Sequence, residues 1–348
     1  MSQHLDAIRD APSYGMTAPF VHRLDPIVAD VGGVYIWWYG VGYALGFLEI
    51  LWYVHRHRRT LGLSAADAYT FTLFVAVGVL IGGRTIEVSF DEWTFYREHP
   101  WLIPALWLGG MATHGLLIGA AAGTLLFAVT YRKSFLHLAD ALAVPGAFLM
   151  GVGRIGNFID GQIVGSVTSV PWAVQFPYAD GFRHPVVLYD GLKNLVLMAY
   201  LARVARTNGT PGAVAARFVF WYAVPRIFID LFRDYPTHRL ALGTGQTLNL
   251  VMAAIGVGLL VRSRLRRLGR LGPRSVTVAQ VRGEADVKPG IALRVAFAAV
   301  LLFSLTIPSN WTQNVPAHYG SRHPGLQHSW VYPEIDTSPP SGRPENLR

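Results

Sequence analysis

Leu138-Ala-Asp-Ala-Leu-Ala-Val-Pro-Gly-Ala-Phe-Leu-Met-Gly-Val-Gly-Arg154 is the stretch that decides the fold class. It is a nearly unbroken apolar run, as long as the shorter helical membrane spans of roughly 17–25 residues. It closes on an arginine rather than on a turn. Comparable blocks occur at Val34–Val54, Ala68–Gly83, Val186–Val204, Ala213–Leu231, Thr247–Val261 and Ile291–Pro308. A longer block within Trp101–Thr130 is split by Gly109-Gly110 and by His114. Its span is placed at His114–Thr130, with Asp91–Gly110 as an amphipathic or re-entrant lead-in. Composition points the same way. Of 348 residues only 15% are charged and 52% are hydrophobic, against about 25% charged in an ordinary soluble domain. Disorder as the dominant state is excluded, because disordered chains are polar and charge-rich. The absence of cysteine excludes a disulfide scaffold, a thiolate metal site and a cysteine nucleophile. The expectation is an all-α polytopic integral membrane bundle of seven to eight transmembrane helices with an outer-face cap.

Lys/Arg asymmetry sets the orientation. With the N-terminus outside, seventeen of the thirty Lys and Arg residues fall on inner loops, the densest group running from Arg262 to Arg294. The chain therefore divides into an outer N-terminal segment (1–33), a membrane core (34–262), a basic cytoplasmic loop (263–290), an additional span (291–308) and an outer, extended or disordered tail (309–348). Met1–Leu24 lacks the apolar centre of a cleavable signal. Beside a span, the basic run is read as facing anionic lipid, at about 1 kcal/mol per residue, and not nucleic acid.

Charged side chains inside spans cost at least about 2.5–3.5 kcal/mol and mark functional candidates. Arg84 ends the second span. Arg154 lies in Gly151-Val-Gly-Arg-Ile-Gly-Asn157, whose glycines permit close helix contact. Arg226 and Arg233 flank Asp230, seven apart and near one helical face. The bland alternative pairs each arginine with a nearby acid: Arg84 with Glu87, Arg226 with Asp230, Arg233 with Asp234. Arg154 has no acid within a helical turn before it. Tyr39, His114 and Tyr189 are further polar groups at span ends. Arginines converging near one membrane face suit an anionic headgroup, since guanidinium forks match phosphate oxygens. Spacing alone does not name a reaction.

Gly153-Arg-Ile-Gly-Asn-Phe-Ile-Asp-Gly-Gln-Ile-Val-Gly165 resembles the signature of the bacterial prolipoprotein diacylglyceryl transferase family. Trp38-Tyr-Gly40, Gly82-Gly-Arg84, Gly109-Gly-Met-Ala-Thr-His-Gly115, Arg183-His-Pro-Val-Val-Leu-Tyr189 and Phe232-Arg-Asp234 resemble its other motifs, in order. The resemblance implies transfer of the diacylglyceryl group of phosphatidylglycerol to the lipobox cysteine thiol of a preprolipoprotein, with release of glycerol phosphate, on the outer side of the inner membrane and without a metal or other cofactor. It implies that Arg154 and Arg233 hold the phosphate, that His114 is the candidate general base, and that Tyr39 and Asn157 orient headgroup or acceptor. Gly165 would allow close approach, and Arg84 and Tyr189 would complete the substrate site.

The departures are specific. Asp160-Gly-Gln162 stands where the family has Asn-Gly-Glu, so the family's carboxylate at position 162 is lost and Asp160 is the nearest replacement. Val186 and Val187 replace a Ser-Gln pair, and Asp190 replaces a Glu. The additional span and tail exceed the family's seven-span pattern. Two other readings remain open: a weakened paralogue that binds phosphatidylglycerol or modifies another acceptor, and an anion transporter, for which no internal repeat is evident.

Overall fold

In a computed structural model, residues 20–207, 209–234, 244–269, 286–309 and 314–335 are described. Eight long helices occur among them: α1 (Trp38–Leu61), α2 (Ala65–Ile86), α3 (Thr113–Thr130), α4 (Phe135–Asp160), α5 (Val186–Thr207), α6 (Ala213–Asp230), α7 (Thr244–Arg267) and α8 (Ile291–Leu305). Each corresponds to one apolar block of the sequence. Four segments are long and apolar enough to cross a bilayer by themselves: Ala65–Phe90, Thr113–Thr130, Phe135–Asp160 and Gly245–Arg267. Exposed Ile81, Ile118, Val129, Leu192, Val196 and Ile255 line the outside of the bundle. In water such a belt would be an aggregation liability; against lipid it is the expected surface. The chain is thus a mostly helical, multi-pass membrane protein. At 1.5 Å per residue α8 is about 23 Å long, shorter than the roughly 30 Å hydrocarbon core, so it reaches the cap only with the residues that follow it.

The helix ends are held by local chemistry. Ser64 and Asp67 form a reciprocal capping box at the start of α2. The carboxylate of Asp140 accepts from the backbone N–H groups of Gly212, Val214 and Ala215, capping α6 from another helix. Lys133 donates to the Gly62 carbonyl and Arg58 pairs with Asp286. These contacts gather the α1–α2, α3–α4 and α5–α6 turns and the entry to α8 at one basic end of the bundle.

Glycines set the closest helix contact. A Cβ on Gly119 of α3 would fall 1.9 Å from the Gly78 carbonyl oxygen of α2, and one on Gly82 would fall 2.4 Å from that of Gly115. The four-residue spacing of Gly115, Gly119 and Gly123 lets two backbones touch, as small residues do in membranes.

The other end carries the cap, and here expectation and structure part. The block expected to span from Val34 begins as strand β3 (Val34–Trp37), paired antiparallel with β2 (Ile27–Val31), and the helix starts only at Trp38. The turn follows from Asp30, whose carboxylate accepts from the Gly33 N–H, and from Gly32 and Gly33 at positive φ. A second small sheet pairs β1 (Phe20–Val21) with β4 (Val174–Gln175) and β4 with β5 (Phe182–Arg183). The lead-in to α3 is a series of single turns between 87 and 108.

The expected extended or disordered tail does not hold for residues 314–335. Val315, Tyr319 and Tyr332 are fully buried with Tyr35, Trp37, Leu102 and Leu108 in the cap's own apolar core, and that burial supplies what an isolated polar tail lacks. Residues 310–313 and 336–348 of the tail, residues 1–19 and the basic stretch 270–285 lie outside the described residues.

Candidate active site

Arg154, two turns from the end of α4, is buried, and its nearest acid comes from a different helix. Its Nε donates to Asp190 Oδ2 of α5 at 2.7 Å, one Nη to Asn157 Oδ1 at 3.0 Å and the other to Thr113 Oγ1 at 3.2 Å. Gly151 and Gly191 lie where α4 and α5 meet, so the backbones approach closely enough for this pair. Asp190 is fully buried and is the centre of the arrangement. Arg226 of α6 reaches its Oδ2 at 2.8 Å and Lys193, one turn on along α5, reaches Oδ1 at 2.8 Å. Lys193 also lies over the Tyr222 ring.

The network continues. Arg226 pairs with Asp230 at 3.1 Å, as its i,i+4 spacing suggested, and Arg233 approaches the same Asp230 oxygen at 3.8 Å. Asn249 of α7 donates to Asp230 Oδ2 at 3.1 Å and presents its Oδ1 to His114 Nε2 at 3.3 Å. The three residues expected to be catalytic, His114, Arg154 and Arg233, are therefore joined through Asp190, Arg226, Asp230 and Asn249. Within this connected set four cations surround two carboxylates. Buried charge is tolerated only when compensated, so a set with this balance can accept an anion.

Two cavities adjoin it. Tyr39, Tyr43, Thr113, Gly153, Arg154 and Asn157 line a small polar pocket. Leu116, Leu149 and Met150 form its floor and are at the same time walls of an apolar cavity of about 250 Å³ between α1, α2, α3, α4, α6 and α7. A polar pocket lined by Arg154 beside an apolar chamber matches the polarity profile of a phospholipid. Among the described residues no three His, Asp or Glu side chains are grouped to hold a metal ion.

The other expected site residues are distributed differently. Tyr39 lies in the polar pocket, its hydroxyl 3.3 Å from that of Tyr43. Arg84 is buried but faces the turns before α3, donating to the carbonyls of Leu102, Ile103, Ala105 and Gly109. Backbone carbonyls, not the expected Glu87, take its donors, and it fixes the segment leading to His114. Arg233 does not share a helical face with Arg226, because α6 stops at Asp230. It sits in a backbone bridge with Gly165. Gly165 allows close approach of cap backbone: a Cβ there would lie 2.5 Å from the His184 oxygen. Asp234 pairs with Arg183 instead of Arg233. Tyr189 bonds to Trp172 and His184 of the cap. Asp160 is bound by Tyr319 and Arg322 of the C-terminal segment. Burial beside Asp160 pushes the Tyr319 hydroxyl well above its ordinary value, so it remains a donor.

Asp190, Lys193 and Asn249 were absent from the sequence-based site. The signal for the first two was present: an acid and a base three apart inside an apolar block.

A family model described as prolipoprotein diacylglyceryl transferase matches residues 26–262. A Nitrosomonas europaea protein named phosphatidylglycerol--prolipoprotein diacylglyceryl transferase is 39% identical over 248 residues, 68% of this chain and 89% of the relative. Proteins of the same name from Bartonella bacilliformis and Geobacter sulfurreducens are 36% and 34% identical, covering 62% and 71% of this chain and 80% and 98% of their own lengths.

Proposed function

Because the chain belongs to the prolipoprotein diacylglyceryl transferase family, we propose that it transfers the diacylglyceryl group of phosphatidylglycerol to the lipobox cysteine thiol of a preprolipoprotein, at the outer face of the bacterial inner membrane. The observation that carries this reading is Arg154, which lines a small polar pocket sharing Leu116, Leu149 and Met150 with an apolar cavity, and which is joined through Asp190 and Asp230 to Lys193, Arg226 and Arg233.

The chemistry follows from the products. A thioether together with intact glycerol phosphate requires that the thiol sulfur attack the glyceryl carbon and that the carbon–oxygen bond to phosphorus break. The phosphate ester leaves with one more negative charge than it had in the lipid. Arg154 and Arg233 stabilise that charge, and the field of Arg226 and Lys193 adds to theirs, in a site from which water is largely excluded. The lipid's acyl chains occupy the apolar chamber that shares Leu116, Leu149 and Met150 with the polar pocket.

A free thiol with a pKa near 8.5 is only a few per cent thiolate at neutral pH, so removing its proton assists attack. Asn249 donates to Asp230 and therefore offers its carbonyl oxygen to His114. His114 Nε2 is then the protonated nitrogen, and Nδ1 carries the lone pair that takes the thiol proton. Tyr39 and Asn157 orient the headgroup, and Gly165 and Tyr189 hold the cap.

The test is transfer from phosphatidylglycerol to a lipobox-cysteine peptide by the purified protein, with product mass read directly. A diacylglyceryl mass increment that disappears with Arg154→Ala and with a Cys→Ser peptide is expected. Folded protein that binds phosphatidylglycerol but yields no thioether would overturn the reading.

A further inference from the structure

The family match ends at residue 262, and the relatives are covered over 80–98% of their own lengths while a third of this chain is left over. The surplus C-terminal unit does not stand apart from the site. Three independent contacts carry it there.

The first is helix packing. Gly40 of α1 faces the end of α8, and a Cβ on it would fall 2.4 Å from the Ser304 oxygen and 2.5 Å from that of Leu305. On the next residue back, Tyr39 abuts Gly156 of α4, where a Cβ would fall 2.6 Å from the Tyr39 Cα. The stack α8–α1–α4 passes through the level of the polar pocket.

The second is Ser309, whose Oγ accepts from Asn157 Nδ2 at 2.6 Å. With its amide nitrogen so engaged, Asn157 turns its Oδ1 to Arg154. The serine thus fixes which end of the amide faces the arginine.

The third lies at Asp160. As the last residue of α4 it is a carboxylate, 2% exposed, at the negative end of a helix dipole, where neither desolvation nor the dipole favours it. Tyr319 donates to it at 3.1 Å and Arg322 at 3.4 Å. Arg322 is itself stacked over the rings of Tyr178 and Tyr319. Beside this pair His318 meets Gln162 at 3.5 Å and accepts through its carbonyl from the Tyr178 hydroxyl. Asp160 and Gln162 are the two positions at which this chain departs from the family signature, and both are contacted by the surplus segment.

We propose that the C-terminal unit, described over residues 286–309 and 314–335, is a working part of the transferase site, in which Ser309 and Arg322 are positioning residues that hold Asn157 and Asp160 and so fix the Arg154 end of α4. The proposal rests on the reading that this end of α4 binds the lipid headgroup. Asn157 is three residues from Arg154 and three from Asp160, so displacing either anchor tilts the clamp.

The experiment uses full-length protein and the peptide transfer assay. Misplacement of a clamp by about 1 Å costs up to about 100-fold, and Ser309→Ala and Arg322→Ala are each expected to lower kcat/KM by at least about tenfold. Arg322→Lys should recover most of the loss. A merely structural role would add to other substitutions. Positioning predicts instead that Ser309→Ala has no further effect on Asn157→Ala, and Arg322→Ala none on Asp160→Asn. Full activity of both single variants, or simple multiplication of the losses, would overturn the proposal.

If the wild-type protein itself fails to transfer, the transferase reading falls and the docking is tested separately. Amide hydrogen exchange at residues 155–161 should then quicken in Ser309→Ala and Arg322→Ala, and unchanged exchange would overturn the positioning roles.

Discussion

Asp190→Asn removes one charge and almost no volume from the centre of the network. Its carboxylate lies 2.7–2.8 Å from donors of Arg154, Arg226 and Lys193. With charge centres about 4 Å apart and an effective dielectric near 20, each pairing is worth about 4 kcal/mol before desolvation. The desolvation penalty of the carboxylate consumes a large part of that sum, and removing one partner of a buried pair costs about 3–5 kcal/mol in practice. The cost is large here because three cations are left facing one another with an amide that can accept from only some of them. Expressed in the transition state, even the lower figure is about 100-fold in rate. Asp190→Asn is therefore expected to lower kcat/KM at least about 100-fold in the peptide transfer assay and to lower Tm in detergent. Asp190→Glu, which restores the acid that the family carries there, should keep most of the activity. Asp190→Asn with wild-type Tm and a rate within threefold of wild type would refute the claim that this carboxylate organises the clamp.

Three further outcomes are expected. Gly119→Ala forces a Cβ against the Gly78 carbonyl, and overpacking of this kind costs about 1–3 kcal/mol or more; its Tm should fall, while Gly258→Ala, with nothing within 4 Å, should not lower it. The Asp286 carboxyl is drawn down to about 2 by its hydrogen bond from Arg58 and by the Ala65 N–H. The stability it lends is present above its unfolded value near 4 and lost as pH falls through about 2; the hydrogen-exchange protection factor at the start of α2, corrected for the intrinsic pH dependence of exchange, should be flat from pH 7 to about 4 and fall below, and Asp286→Asn should abolish the change. A cationic site also predicts lipid selectivity in stability: phosphatidylglycerol should raise Tm in detergent, by about 2.7 kcal/mol of added stability at a hundredfold excess over Kd, and a zwitterionic phospholipid should not. Equal stabilisation by both lipids would count against the cluster as the headgroup site.

The helices were legible because each has its own apolar block, and a block needs no knowledge of its neighbours. Their ends were less so. Val34–Trp37 is as apolar as the helix it leads into, so composition runs the strand and the span together; only Gly32-Gly33 marks the hairpin turn. The arginines were legible for the opposite reason, as charges where lipid should be. Their partners divided by distance in the chain. Arg226–Asp230 is written in an i,i+4 spacing, whereas Arg154 finds Asp190 thirty-six residues away on another helix. Nothing local could assign Arg84 to four carbonyls of the turns before α3, because backbone acceptors are present at every residue. The Pro, Ser and Gly content of the C-terminal segment suggests a loose tail, yet three buried side chains, Val315, Tyr319 and Tyr332, are enough to seat it in the cap.

The same charge network bears on the choice between lipid chemistry and anion transport. A transport site must release its anion to both sides, and the path from the cationic mouth toward the basic end of the bundle leads through the large cavity. That cavity is walled by Ile50, Val75, Val79, Leu142, Met252 and Leu259. A soluble anion entering it would lose its hydration and find no donors, a cost far beyond what the cluster above could offset. An anion carried on two acyl chains would meet no such difficulty, because its chains suit the apolar lining and its phosphate would stay beside Arg154. The glycine contacts between α2 and α3 fit this division of labour. They close one wall of the bundle, backbone on backbone, beside the chamber that lies between α1, α2, α3, α4, α6 and α7. A headgroup beside Arg154 with its tails in the apolar chamber is the arrangement that the proposed group transfer requires, and an apolar chamber without donors opposes passage of a bare ion.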